Sequence, residues 1–126
     1  MLAGDPDHIG ERIVLRFLEL WESGASRDVF TAMIRSAVTH DKAASMVREL
    51  ITRRLVGPLT DSLNVSQPDL RATLVGSQLV GLAMVRYVTR VEPLASLRRE
   101  QVARVLGPNV QRLLTADLEA AESPEA

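Results

Sequence analysis

The side chains of this 126-residue chain that could do chemistry are scattered, and none stands in a spacing that makes a reaction. His8 and His40 fall near separate helix starts, without an H-E-x-x-H or Glu-x-x-His pattern around either. Zinc needs three or four convergent ligands, so His40 beside Asp41 reads as a helix-boundary residue and not as half of a metal site. The absence of cysteine removes disulfides, thiolate ligands and a cysteine nucleophile together. No serine lies in a G-x-S-x-G or S-x-x-K setting, and no glycine cluster has the form of a phosphate loop. The carboxylates Glu19, Glu22, Glu49 and Glu100 are expected on solvent faces, beside arginines three or four residues away. The expectation is therefore no catalytic residue, no metal, no cofactor and no enzyme activity.

Two polar groups are better suited to orienting a molecule than to transforming one. Tyr87 and Gln78 lie on one apolar helical segment, where a buried hydroxyl or amide needs a partner. The bulky or adaptable side chains around them in sequence are Phe17, Trp21, Phe30, Met33, Met46, Leu50 and Met84. These nine residues are the candidate lining of an apolar pocket, although side chains of these types also simply fill cores.

The elements that must position them read as helices. Asp5-Pro6-Asp7 is a helix-start signal, followed by apolar residues at helical spacing from Ile9 to Trp21 and a stop at Ser23-Gly24. A short second helix, capped by Ser26, is expected to bury Phe30, Met33, Ile34, Ala37 and Val38. A third, capped by Thr39 or Asp41, carries Ala43, Val47, Leu50, Ile51 and Leu55 and halts or bends at Gly57-Pro58. Ser66-Gln67-Pro68-Asp69 has the shape of a capping box and should open a long fourth helix running to about Val91, before Pro93. The fifth, capped by Ser96 and kinked at Gly107-Pro108, places Val102, Leu106, Val110 and Leu113 on one face and Arg98, Gln101, Arg104, Gln111 and Arg112 on the other. Residues 1–118 then form one all-α domain, and 119–126 a frayed tail with nothing to bury.

The fourth helix is unusual because Leu74 to Val85 is apolar or small almost all round. At helical period that means burial on two opposite sides, more than a five-helix monomer covers by itself. Small residues recur four apart at Ala72 and Gly76 and at Ser77 and Gly81, where another backbone or a ligand could approach closely, either in packing within the chain or against a second copy.

Charge and hydropathy exclude two partners. Fifteen basic against sixteen acidic residues give a net charge of -1, with no global pull toward nucleic acid. The Leu18 to Ala37 segment has the outline of a helix-turn-helix, but its second helix offers only Arg27, Arg35 and small polar groups, with Asp28 repelling phosphate. The longest uncharged run, Ala72 to Val85, is shorter than the roughly 20 residues of a membrane span, and the first residues lack a signal-peptide pattern. A cytoplasmic location without a membrane partner is expected.

The segments Leu70-Arg71, Gln78 to Val88, Val91-Glu92-Pro93-Leu94-Ala95, Leu55-Val56-Gly57-Pro58-Leu59 and Val105 to Leu113 resemble the C-terminal domain of TetR-family transcriptional regulators, most closely the actinobacterial type. The likeness spans about Ile9 to Leu118. It implies a five-helix bundle whose last two long helices pair with those of a second copy into a four-helix dimer bundle. Mapped here, the dimer seam takes Ala72, Gly76, Leu79, Ala83, Val102, Leu106, Val110 and Leu113. The resemblance also implies a small apolar effector among the preceding helices, whose binding in the family shifts two N-terminal DNA-reading heads. Those heads should precede Met1, so this chain should not bind DNA specifically, whereas a full-length parent should. The alternative is a freestanding helical binding protein for small apolar molecules.

Overall fold

A computed structural model of the chain describes residues 6–23, 25–51, 53 and 65–118. The described residues form five α-helices and no strand. They are α1 (Ile9–Trp21), α2 (Ala25–Thr39), α3 (Asp41–Ile51), α4 (Pro68–Ala83) and α5 (Arg99–Thr115). A 3₁₀ turn at Pro6–His8 leads into α1, a π-helical turn at Met84–Val88 prolongs α4, and a second 3₁₀ turn, Leu94–Ser96, precedes α5.

The main core lies where α1, α4 and α5 meet. Ile13, Val14 and Leu18 of α1 interleave with Ala72, Val75, Leu79 and Leu82 of α4 and with Val102, Ala103, Val110 and Leu114 of α5. The crossing of α1 over α5 is unusually close because glycines stand on both sides of it. A Cβ on Gly10 would lie 2.3 Å from the Gly107 carbonyl oxygen and 2.5 Å from the Gln111 backbone nitrogen. Near its start α1 has no side-chain cap of its own, and the Gly10 N–H, one of the donors a helix leaves orphaned there, donates to the Gln111 side-chain oxygen at 2.8 Å. As expected, α5 runs on through Gly107-Pro108, to Thr115; its glycine admits α1 and its proline stays exposed.

Arg71 ties α4 to the far end of α5. It is 4% exposed and donates to the Ser66 carbonyl at 2.6 Å, to the Ser66 hydroxyl at 3.4 Å and to the Leu113 carbonyl at 3.1 Å. The Leu113 carbonyl belongs to the last turn of α5, where acceptors lack intrahelical donors and a cation favours the helix dipole. Arg71→Met keeps the apolar stem and strands these carbonyls. Urea unfolding is expected to show a loss of about 2–3 kcal/mol; a change below about 0.5 kcal/mol would mean that water takes over the contacts.

Several local expectations need correction. Ser66 does not cap α4, because Arg71 occupies both its carbonyl and its hydroxyl; the N-cap is Gln67, in a left-handed conformation at φ 51°. Ser96 does not cap α5 either, since its hydroxyl turns back to Glu92; the N-cap is Arg98, whose N–H donates to the Gln101 side chain. The second helix is not short but longer than either neighbour, and Val38 at its end is 75% exposed. The stop expected at Gly57-Pro58, and Leu55, Asp5 and the 119–126 tail, lie outside the described residues.

The largest correction concerns the faces of α4 and α5. Ala72, Gly76, Leu79, Ala83, Val102, Val110 and Leu113 are all buried within this one chain, and Leu106 is half-buried against the same core. Seven of them are taken up inside this chain and are not free to form a seam, while Leu106 is only half-buried. The side of α4 turned away from α1, continued by Val85 of the π-helical turn, carries Leu70, Ser77, Gln78 and Gly81, half-buried or exposed, and a Cβ on Gly81 would touch nothing within 4 Å. On α5, Val105 is 70% exposed.

Candidate functional site

Three aromatic residues, from α1, α2 and the π-helical turn, converge on Trp21 at the end of α1. Phe17 lies one turn earlier, with ring centroids 6.1 Å apart; Phe30 of α2 approaches to 5.3 Å at a tilt of 44°. Tyr87 of the π-helical turn stacks on the indole, 5.3 Å away and 4° from parallel. Ile34, Val80, Ala83 and Met84 complete this second cluster. Trp21 itself is 3% exposed. π-helical turns inside α-helices are frequent at functional sites, and this one aims Tyr87 into the cluster.

A polar network borders the rings. The Tyr87 hydroxyl donates to one Glu22 carboxylate oxygen at 2.5 Å and accepts from Arg86 Nε at 3.2 Å. Arg86 spends its other nitrogens on the same Glu22 oxygen at 3.3 Å and on the Leu94 carbonyl at 2.9 Å. The second Glu22 oxygen receives Arg99 at 3.4 Å, and Arg99 also meets Glu100 at 3.2 Å. Three segments distant in sequence are thus joined through one carboxylate.

Burial, with a hydrogen bond to the Glu22 carboxylate, pushes the Tyr87 hydroxyl up to about 12 from an ordinary 10.0, against the opposing pull of Arg86. Because the folded value lies above the unfolded one, the contribution to stability is whole below pH 10 and is lost between about pH 10 and 12, where the unfolded chain ionises first. Tyr87 is the chain's one tyrosine, so tyrosinate absorbance reads it alone. A native midpoint near 12 that falls to near 10 in urea is expected; a native midpoint at 10 would mean an open, solvated ring.

Of the nine expected pocket residues, Phe17, Trp21, Phe30, Met84 and Tyr87 come together, and Met33 is half-buried on α2. Gln78 does not join them: it is exposed on the outer side of α4, a quarter turn from the buried stripe, which leaves its amide to water. Met46 is 52% exposed on α3, and the side chain of Leu50 lies outside the described residues. The rings pack on one another. A hollow of about 390 Å³ lies on α2 beside Asp28, Thr31, Ala32, Arg35 and Ser36, and a cleft of about 320 Å³ runs between His8, Glu11, Gly107 and Arg112. Neither is lined by the aromatic cluster.

Glu22, Arg86 and Arg99 were not identifiable from sequence. Glu22 has the spacing of a solvent-face carboxylate, as Glu19 and Glu49 prove to be, but its partners lie 64, 65 and 77 residues away. Among the described residues, no group of three His, Asp or Glu side chains could hold a metal ion, and no helix is long and apolar enough to cross a membrane.

The described residues thus form an all-helical bundle with a ring cluster where α1 ends. The chain matches the tetracyclin repressor-like C-terminal domain over residues 7–114 and belongs to that family. It is also similar to a TetR-family regulator from Streptomyces coelicolor A3 solved by crystallography, at 37% identity and a TM-score of 0.67, over 89% of this chain and 74% of the other. No curated protein matches it.

Proposed function

We propose that the chain is the effector-sensing and homodimerisation half of a TetR-family transcriptional repressor, acting in the cytoplasm. The observation that carries the dimer is the outer face of α4 and of the π-helical turn that prolongs it, where Leu70, Ser77, Gln78, Gly81 and Val85 lie half-buried or exposed on a helix whose opposite face is already core. A helix apolar on both sides needs a second partner, and a second copy supplies a self-complementary one. Val105 of α5 is the matching apolar contact on the neighbouring helix.

The effector site is the aromatic cluster around Trp21. A small, mostly apolar molecule takes the place of ring-on-ring contacts among Phe17, Trp21, Phe30, Met84 and Tyr87, with the Glu22–Tyr87–Arg86 network at its polar end. Reading operator DNA falls to a separate head in a full-length regulator, since this chain carries a net charge of -1.

Titration with N-phenyl-1-naphthylamine, a neutral apolar fluorophore, tests the site, because Trp21 is the chain's one tryptophan and donates its excitation to a probe bound beside it. Saturable energy transfer is the expected result. Its absence up to the solubility limit of the probe would contradict the effector site and leave the dimer reading untouched.

A further inference from the structure

Two dipeptides face each other where α1 ends: Trp21-Glu22, and Arg86-Tyr87 in the π-helical turn. Trp21 and Tyr87 stack as rings, while Glu22 and Arg86 pair as charges beside them. The same carboxylate reaches a third element through its other oxygen, holding Arg99, the first residue of α5. The Glu22 side chain is only 23% exposed, and Arg86 7%, so these bonds are shielded from water on most sides.

We propose that Glu22 is a positioning residue that couples occupation of the aromatic cluster to the start of α5. The inference rests on the effector site argued above. Separating Trp21 from Tyr87 must move Glu22, which is bonded covalently to the first and by hydrogen bond to the second. The carboxylate cannot follow the rings and keep all three partners. Its contact with Arg99 is the longest at 3.4 Å and the most exposed, and Arg99 has Glu100 as an alternative acceptor. It is the contact that yields. The first turn of α5 then keeps its own cap between Arg98 and Gln101 and the packing of Val102 in the core, and loses its tie to α1. Glu19 of α1 also attracts Arg99.

Two arms of one experiment test the coupling. Without ligand, Arg99→Ala is expected to shift the emission and near-ultraviolet dichroism of Trp21, and to add nothing in a Glu22→Gln background. With N-phenyl-1-naphthylamine bound, hydrogen exchange of the amides at 99–103 is expected to rise at least about fivefold in the unsubstituted protein and less than about twofold in Glu22→Gln. An unchanged Trp21 signal in Arg99→Ala, or equal exchange responses with and without Glu22, overturns the coupling while energy transfer from Trp21 still supports the effector site. Absence of energy transfer overturns the effector site, and the ligand-free arm then shows whether Glu22 connects the rings to α5 at all.

Discussion

Gly10→Ala is expected to be the most destabilising single-methyl change in the chain. The added Cβ would sit 2.3 Å from the Gly107 carbonyl oxygen, 2.5 Å from the Gln111 nitrogen and 3.0 Å from the Gln111 Cα. All three are backbone atoms, so no rotamer change relieves the clash and α1 must lift off α5. That movement opens the Ile13, Val14 and Leu18 contacts and breaks the Gly10 to Gln111 hydrogen bond. Overpacking a close contact commonly costs about 1–3 kcal/mol, and an unyielding backbone places this one at the upper end or beyond. A fall in Tm of roughly 10 °C or more follows for a domain of this size. Gly107→Ala meets Glu11 at 2.7 Å from its Cα and should act in the same direction. A Gly10→Ala protein within about 1 kcal/mol of the parent would contradict the close crossing.

Gly81→Arg is expected to do the reverse, leaving the fold intact and abolishing the dimer. Nothing lies within 4 Å of a Cβ at Gly81, so the single chain accommodates the side chain in solvent. In a dimer built on the outer face of α4, two guanidinium groups related by the twofold axis would be driven together in an apolar seam without partners. Sedimentation should then show a monomer whose helical circular dichroism is unchanged. By contrast, Gly76→Arg, at a buried position on the opposite side of the helix, is expected to unfold the chain. If Gly81→Arg stays dimeric, the copies meet elsewhere.

These two glycines mark the boundary of what the sequence could tell. Helical periodicity and the breaks at Ser23, His40 and Pro93 located the elements, because spacing along one helix is a local property. The apolar stripe of α5 was legible as a stripe but not for what it packs against: Val102, Val110 and Leu113 are buried and Leu106 half-buried, all against this chain's own core. The direction in which α4 turns was not. A helix apolar all round carries no moment to orient it, and small residues such as Ala72, Gly76 and Ala83 admit close packing equally against α1 or against a second copy. Here α1 takes that side.

The ring cluster was partly legible for the same reason. Phe17 and Trp21 lie one turn apart, and Tyr87 had to find a hydrogen-bond partner. Which partner it finds depends on a contact between positions 65 residues apart, and no local pattern encodes Glu22 as its acceptor. The capping expectations at Ser66 and Ser96 failed similarly, since Arg71 and Glu92 outcompete the helix termini for those hydroxyls.

The homodimer is the claim on which the functional reading depends most, and the mass of the unsubstituted chain in solution tests it directly. Light scattering coupled to size exclusion at micromolar concentration should return twice the 13.8 kDa of one chain. A mass of one chain at that concentration would contradict the account, because the outer face of α4 would then stand in water without a partner.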